Sequence, residues 1–365
     1  MSTLVAGLLA AFFAGFLILR FRHMHDHMSA DHDIGGVQKF HQSAVPRVGG
    51  VALLMGVAVA VATRFFVNIP VAQFAALLLV TALPVFLIGL LEDLTKSVGV
   101  KSRFFGALVS AALAGFLFNT WLVNVEVPGV DALLALPVIS ILFTCFAVAG
   151  VTNAFNIIDG YHGLVSVVAC IILTAIAYVA FQVHDVAVMA CAFAAIGAAL
   201  GFLIWNYPKG LIFLGDGGAY LLGFWVAELS VLLVVRNDAI SKWFPVLICI
   251  YPIFETIFTM YRRFFLKKRH VSLPDAIHLH QLIYRRVVRW SVGSDDERLL
   301  NQRNSLTSPY LWALATLAVI PAVLFWQNRV VLQSAILVFA LSYLWLYLRI
   351  MKFRVPKWLI LNRKP

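Results

Sequence analysis

Charge is scarce in this sequence, and that scarcity decides the class of protein. Only 12% of the 365 residues are Asp, Glu, Lys or Arg, against 62% hydrophobic. A soluble domain carries roughly a quarter of its residues as charges, about twice this share. A water-soluble globular enzyme is therefore excluded, and a polytopic helical membrane protein is the class that remains. Cysteine is sparse too. Cys145, Cys170, Cys191 and Cys249 all sit within apolar runs and show no CxxC spacing. That excludes a disulfide framework and a cysteine zinc site, and leaves small buried hydrophobes. Internal repeats, low-complexity tracts and a separable soluble domain are also missing, so a single transmembrane domain is expected over 1–365. No basic segment precedes the first apolar run, and basic residues follow it, as for a retained helix rather than a cleaved signal.

The apolar runs predict an all-α fold with about eleven spans of bilayer length, near 3–19, 48–67, 71–91, 104–123, 132–151, 164–181, 186–205, 219–235, 243–260, 309–326 and 330–348. Charge then orients them. Of the 28 Lys and Arg, all but Arg64, Arg236, Lys242 and Arg329 fall on one side of that arrangement. Excess Lys and Arg mark the cytoplasmic side, which puts the N-terminus outside and the C-terminus in the cytoplasm. The net charge of +11 thus reflects topology, and no nucleic-acid partner is expected. The long polar loops, 20–47, 92–103, 152–163, 206–218 and 261–308, then all face the cytoplasm, and 261–308 is the largest.

Those loops carry the chemistry. Asn153 to Leu164, NAFNIIDGYHGL, places amides and a carboxylate between two apolar runs. Unpaired in lipid, each would cost several kcal/mol, so the loop lines a watery cavity or sits at a membrane surface. Glu92-Asp93, followed by Lys101 and Arg103, reads alone as an ordinary solvated helix end, or as carboxylates that hold a cation beside basic groups for an anion. Around Asp216, Gly215, Gly217 and Gly218 would let backbone approach a phosphate while the carboxylate offers a hard ligand for Mg²⁺; a flexible turn with an incidental aspartate is the equal alternative. His278 and His280 stand at i and i+2, off any common helix face. A helical zinc site is thereby disfavoured, and a role in holding phosphates beside Arg262 and Arg263 suits them better. The run Tyr284 to Trp290 looks amphipathic and suits a membrane surface. Hard ligands, glycine turns and Arg/His clusters recurring on one face are the parts phosphoryl transfer needs.

In order along the chain, Asp33…Lys39-Phe-His41…Pro46-Arg-Val-Gly-Gly50, Gly89-Leu-Leu-Glu-Asp93, Asn153-Ala-Phe-Asn-Ile-Ile-Asp-Gly160, Phe213-Leu-Gly-Asp-Gly-Gly218, Pro252-Ile-Phe-Glu-Thr256 and His278-Leu-His280 resemble the motifs of the polyprenyl-phosphate N-acetylhexosamine-1-phosphate transferases, in particular the members that initiate O-antigen. The resemblance implies transfer of a sugar-1-phosphate from a UDP-N-acetylhexosamine to undecaprenyl phosphate at the cytoplasmic face of the bacterial inner membrane, with UMP released. It implies Mg²⁺, with Mn²⁺ as the alternative, held by Asp216 with Asn156. Asp93 and Lys101 would receive the lipid phosphate, Asn153 and Asp159 the nucleoside side, and Arg262, Arg263, His278 and His280 the diphosphate or sugar. Lys39, His41, Arg47 and Glu92 belong to the same motifs as substrate-binding positions, while Asp93, Asp159, Asp216, His278 and His280 are the catalytic set. The resemblance also leaves room for a homodimer.

Departures from the family pattern are specific. The usual Asp-Asp pair reads Glu92-Asp93, a second aspartate of the third motif is His162, the fifth-loop aspartate is Glu255, and the last histidine is Gln281. An inactive paralogue and a polytopic transporter or flippase are the alternatives; a transporter would carry its charges near mid-membrane in broken spans. Outside the motifs, His23 to Asp33 is rich in His and Asp but reads as a solvated segment, and Glu228 is a charge within a span that matches no motif.

Overall fold

Chain crossing lipid must close its own backbone hydrogen bonds, and every regular element among the described residues is a helix. The computed structural model describes residues 2–24, 45–266, 277–288, 297–354 and 356. Lys39, His41 and the stretch from His25 to Asp33 lie outside the described residues. The helices are α1 (Ser2–Arg20), α2 (Gly49–Arg64), α3 (Ile69–Thr95), α4 (Val100–Phe118), α5 (Pro128–Leu134), α6 (Pro137–Ile158) and α7 (Leu164–Gln182). They continue as α8 (Val186–Asn206), α9 (Gly215–Arg236), α10 (Trp243–Ile248), α11 (Ile250–Tyr261), α12 (Leu279–Ile283), α13 (Glu297–Leu324) and α14 (Arg329–Met351).

Nine of these, among the described residues, are long and apolar enough to cross a membrane, and the chain is an all-α polytopic membrane protein. The run expected at 48–67 is α2, with 16 residues, about 24 Å at 1.5 Å per residue. The run expected at 243–260 is divided into α10 and α11. Pro252 accounts for the break: in a continuous helix its ring would meet the carbonyl of Ile248 and its missing N–H would leave that carbonyl unbonded. The chain turns at Cys249 instead, and Ile253 N–H bonds Cys249 O at 3.1 Å. Polar caps start other helices. Asn68 Oδ1 accepts from Val71 N–H, Asp185 Oδ1 from Val188 N–H and Asn328 Oδ1 from Val331 N–H, each meeting a donor that a helix start leaves open.

α9 is the post around which the bundle is built: 94% of its apolar window is buried, against α2, α3, α6, α7 and α8. α1 packs into a stripe of small residues on α8. A Cβ at Gly197 or Gly201 would collide with the carbonyls of Leu4 or Leu8, so only glycine lets the two backbones meet, the usual way membrane helices associate without a hydrophobic driving force.

Helix boundaries shorten the expected loops. Asn153 and Asn156 belong to the last turns of α6, only Lys96 to Gly99 separate α3 from α4, and α13 begins at Glu297. Tyr284 to Val288 form a π-helical turn whose Tyr284, Val287 and Val288 are buried, packed into the protein rather than laid along its surface.

Candidate active site

The start of α9 is gripped by two other segments, residues 46–50 and the end of α3. Phe213 N–H bonds Pro46 O at 2.9 Å, Gly49 N–H bonds Phe213 O at 3.0 Å, and Gly50 N–H bonds Leu214 O at 2.9 Å. Gly215 has φ +73°, and a Cβ there would strike Arg47 O; a Cβ at Gly89 would come within 2.8 Å of Gly217 Cα. These glycines exist so that backbone can touch backbone. The contact delivers Asp93, at the end of α3, onto the open donors of α9. Its Oδ1 accepts from Asp216 N–H at 2.8 Å and its Oδ2 from Gly217 N–H at 2.9 Å. Asp93 is 2% exposed, and it caps α9 from another helix, where a negative charge is favoured by the open N–H groups.

Asp216, thus fixed, lies between two guanidinium groups. Arg103 Nη1 bonds its Oδ2, and Arg47 Nη2 lies 3.5 Å from its Oδ1 and 3.7 Å from Asp93 Oδ1. Asp159 follows α6 directly, its N–H bonded to Asn156 O at 3.2 Å. Burial pushes its carboxyl up to about 7, Asp216 adds to that rise, and Arg47 opposes it. Asn153 Oδ1 accepts from Tyr220 Oη of α9 at 3.4 Å, and Asn156 is half-buried one turn further on. Glu92 Oε2 accepts from Val98 N–H at 2.7 Å and so closes the turn between α3 and α4.

The histidines make the opposite wall. His278 Nδ1 lies 3.1 Å from Glu255 Oε1, which also accepts from Leu279 N–H at 3.0 Å. The rings of His278 and His280 stack with centroids 5.1 Å apart. Burial drives the His280 imidazole down to about 3, with Glu255 opposing and His278 reinforcing the fall, so it is neutral at pH 7. His280 meets the Tyr161 ring edge-on at 5.5 Å, which joins this wall to the loop after Asp159. That loop is pinned from α13: His162 N–H donates to Asn304 Oδ1 at 2.8 Å, Ser308 Oγ donates to His162 O at 2.6 Å, and Trp312 Nε1 donates to Gly163 O at 3.2 Å. His162, which stands where the family has a carboxylate, is 2% exposed and stacks on Phe213.

Arg47, Asp93, Asp159, Asp216, His278 and His280 are therefore brought together, with Glu92, Asn153 and Asn156 at the flank. Arg262 is buried and donates to Tyr347 Oη at 2.9 Å; Arg263 is half-buried beside it. Lys101 is exposed on α4. Two residues outside the expected set take central places, Arg103 and Glu255. Arg103 had a signal. Gly106, Ala107, Ser110, Ala111 and Ala114 form the buried face of α4, and that stripe extended back one turn reaches Arg103 and misses Lys101.

Among the described residues no group of three or more His, Cys, Asp or Glu is arranged to hold a metal. Mg²⁺ commonly takes one or two carboxylates and completes its shell with phosphate oxygens and water. Asp216, with Asp159 repelling it across the site and the Asn156 amide nearby in sequence, fits an ion that arrives with a diphosphate.

An apolar groove of about 590 Å³ runs along the bundle from Leu122, Val130 and Trp243 at its far end, past Phe146 and Gly150, to Ala154 of α6 and Met260 of α11 near the site. Cys249, where α10 and α11 meet, is among its lining residues.

Residues 74–234 match glycosyl transferase family 4. The chain is 30% identical over 246 residues to a probable undecaprenyl-phosphate N-acetylglucosaminyl 1-phosphate transferase of Bacillus subtilis, covering 67% of this chain and 66% of that protein. It is 30% identical over 254 residues to the undecaprenyl-phosphate alpha-N-acetylglucosaminyl 1-phosphate transferase of Thermotoga maritima, covering 69% and 72%. A phospho-N-acetylmuramoyl-pentapeptide-transferase of Listeria monocytogenes is 30% identical over 257 residues, covering 66% and 77%.

Proposed function

The chain belongs to glycosyl transferase family 4 and is a multi-pass membrane transferase, and from that premise we propose that it transfers the sugar-1-phosphate of a UDP-N-acetylhexosamine to undecaprenyl phosphate. One observation carries this reading: α6 lines the apolar groove with Phe146, Gly150 and Ala154, and its last turns and the residue after them carry Asn153, Asn156 and Asp159 at the charged cluster. A polyprenyl tail suits the groove, and its phosphate then arrives beside Arg47 and Arg103.

In the reaction an oxygen of the acceptor phosphate attacks the β-phosphorus of the donor. The new P–O bond forms as the bond to the UMP oxygen breaks, giving the lipid diphosphate sugar and UMP. The acceptor phosphate, with a second pKa of about 6, is mostly dianionic at pH 7 and needs no base. Asp93, with both oxygens on backbone N–H groups, acts by holding Asp216 in place, while Lys101 meets the incoming phosphate. Arg47 and Arg103 exchange Asp216 for phosphate oxygens as substrates bind, two cationic clamps for charge that develops in transfer. Asn153 and Asp159 face the nucleoside side; Arg262, Arg263, His278 and His280 face the diphosphate or sugar. Asp216 and Asn156 would hold Mg²⁺, or Mn²⁺ in its place, which when bound supplies further positive charge at the diphosphate. The positive-inside pattern supports a bacterial inner-membrane enzyme whose site faces the cytoplasm, in the initiating step of a cell-surface polysaccharide such as O-antigen.

The test is UMP release by purified protein given undecaprenyl phosphate and a panel of UDP-N-acetylhexosamines. Release with at least one donor is expected, with a loss of about 100-fold or more in Asp216→Ala, the scale for removing a group at the developing charge. Intact release in Asp216→Ala removes the metal assignment. Silence with every donor removes the reading and leaves a transporter or an inactive paralogue.

A further inference from the structure

The last helix reaches into the histidine wall, although neither the family match, which ends at residue 234, nor the motif set extends to it. Tyr343 of α14 is 0% exposed, and its Oη donates to Glu255 Oε2 at 2.7 Å. The other oxygen of Glu255 is the one that meets His278 Nδ1 and Leu279 N–H. One helical turn later, Tyr347 Oη accepts from Arg262 Nη1 at 2.9 Å and donates to Ile277 O at 3.3 Å. Ile277 is the residue before His278. Two tyrosines on one face of α14 therefore hold the segment Ile277 to Leu279 from both sides, one through a carboxylate and one directly.

We propose that Tyr343 and Tyr347 are positioning residues for the donor side of the transfer reaction, a role that rests on the function proposed above. Glu255 is 0% exposed. A buried carboxylate that loses one of its donors keeps the cost of an unsatisfied oxygen; it relieves that cost by turning toward another donor or by taking up a proton. Either change loosens the hold of Glu255 on His278, leaving Thr259 Oγ1, 3.2 Å from Nδ1, as the remaining partner of that nitrogen. With Nδ1 held by Glu255 at 3.1 Å and Thr259 Oγ1 at 3.2 Å, Nε2 is the nitrogen left for substrate, and the carboxylate sets the orientation of the ring. Tyr347 does the same for Arg262, the planar cation suited to a diphosphate oxygen. Simple packing is the competing account, since the Tyr343 ring lies edge-on to Phe254 at 4.9 Å and Phe258 at 5.8 Å. Phenylalanine at 343 keeps those contacts and removes only the hydroxyl, so it separates the two.

The experiment compares full-length wild type, Tyr343→Phe and Tyr347→Phe in detergent, with the UDP-sugar that releases UMP varied against saturating undecaprenyl phosphate, and the reverse. For Tyr343→Phe, donor kcat/KM is expected to fall about tenfold or more, as for loss of a hydrogen bond to a charged group, with acceptor KM held within about twofold. In a Glu255→Gln background the same change should add less than about twofold, because the carboxylate charge that couples Tyr343 to His278 is gone. Tyr347→Phe is expected to lower donor kcat/KM in the same way. Wild-type donor kinetics in Tyr343→Phe, an undiminished penalty beside Glu255→Gln, or a parallel loss for donor and acceptor with a lowered midpoint overturns the proposal. If wild type releases no UMP, UDP-N-acetylglucosamine binding by calorimetry decides. Weaker binding by Tyr343→Phe keeps the clamp while the transfer reading falls, unchanged binding removes the clamp alone, and no binding by wild type removes both.

Discussion

At the scale of single residues, the site is a set of charges each holding another in place. Asp93 is the case in point. As an acidic residue at a helix end it looks available to substrate, yet it is spent on the first N–H groups of α9. Asp216 is the carboxylate left over, and two arginines neutralise it until phosphates arrive. The pairing chooses between two cations close together in sequence. Arg103→Ala should lower kcat/KM by about tenfold or more, since it strips a charge-assisted bond from the centre, whereas Lys101→Ala, exposed on α4, should cost less than Arg103→Ala. Equal losses in a steady-state comparison would count against the assignment of Arg103 as a clamp. The inward facing of Arg103 follows the small-residue stripe of α4, whereas the contacts of Glu255 were not legible, because its partners lie at His278 and Tyr343, 23 and 88 residues away.

At the scale of elements, what matters is how helix ends are made to meet. α9 can start at the site only because glycine at 50, 89, 215, 217 and 218 lets α2 and α3 come to backbone contact with it. α13 matters as much, although it lies outside every motif. It holds the turn after Asp159 through Asn304, Ser308 and Trp312. Asn304→Ala leaves the His162 N–H without its acceptor in a buried place, a loss of about 1–3 kcal/mol. We expect a lower thermal midpoint and a reduced donor kcat/KM, with Asn304→Asp recovering part of both because it keeps the accepting oxygen. If differential scanning fluorimetry and donor kinetics are both unmoved in Asn304→Ala, α13 does not hold the turn. The loop from Asn153 to Leu164 was legible as a polar interruption between spans. Its first half proved helical because nothing in Asn153 to Ile158 breaks a helix, and a buried helix end can present amides as well as a loop can.

At the scale of the whole molecule, the site is assembled from one end of the bundle: the starts of α2, α4, α7, α9 and α13 and the ends of α3, α6, α8, α11 and α14. Alternating helices bring those ends to one face, the face rich in Lys and Arg. A single accessibility experiment tests its orientation. Ser97, in the turn before α4, and Gly129, in the first turn of α5 beyond the other end of α4, are both exposed. Ser97→Cys should react with a membrane-impermeant thiol reagent only in inverted vesicles, and Gly129→Cys only in intact spheroplasts; the reverse pattern turns the molecule over.

The sequence by itself determined the class and most of the spans, because lipid forbids unpaired backbone and charge, and so writes spans and loops directly into composition. Order along the chain also sufficed to group the motif residues. Tertiary structure decided which charge answers which. That Asp93 caps α9, that Arg103 rather than Lys101 meets Asp216, that an apolar groove runs beside α6, and that tyrosines of the last helix hold Glu255 and Arg262 all depend on distances between segments far apart in the chain. Local propensity and periodicity are blind to such distances, since they register which face a residue takes and not what stands opposite it.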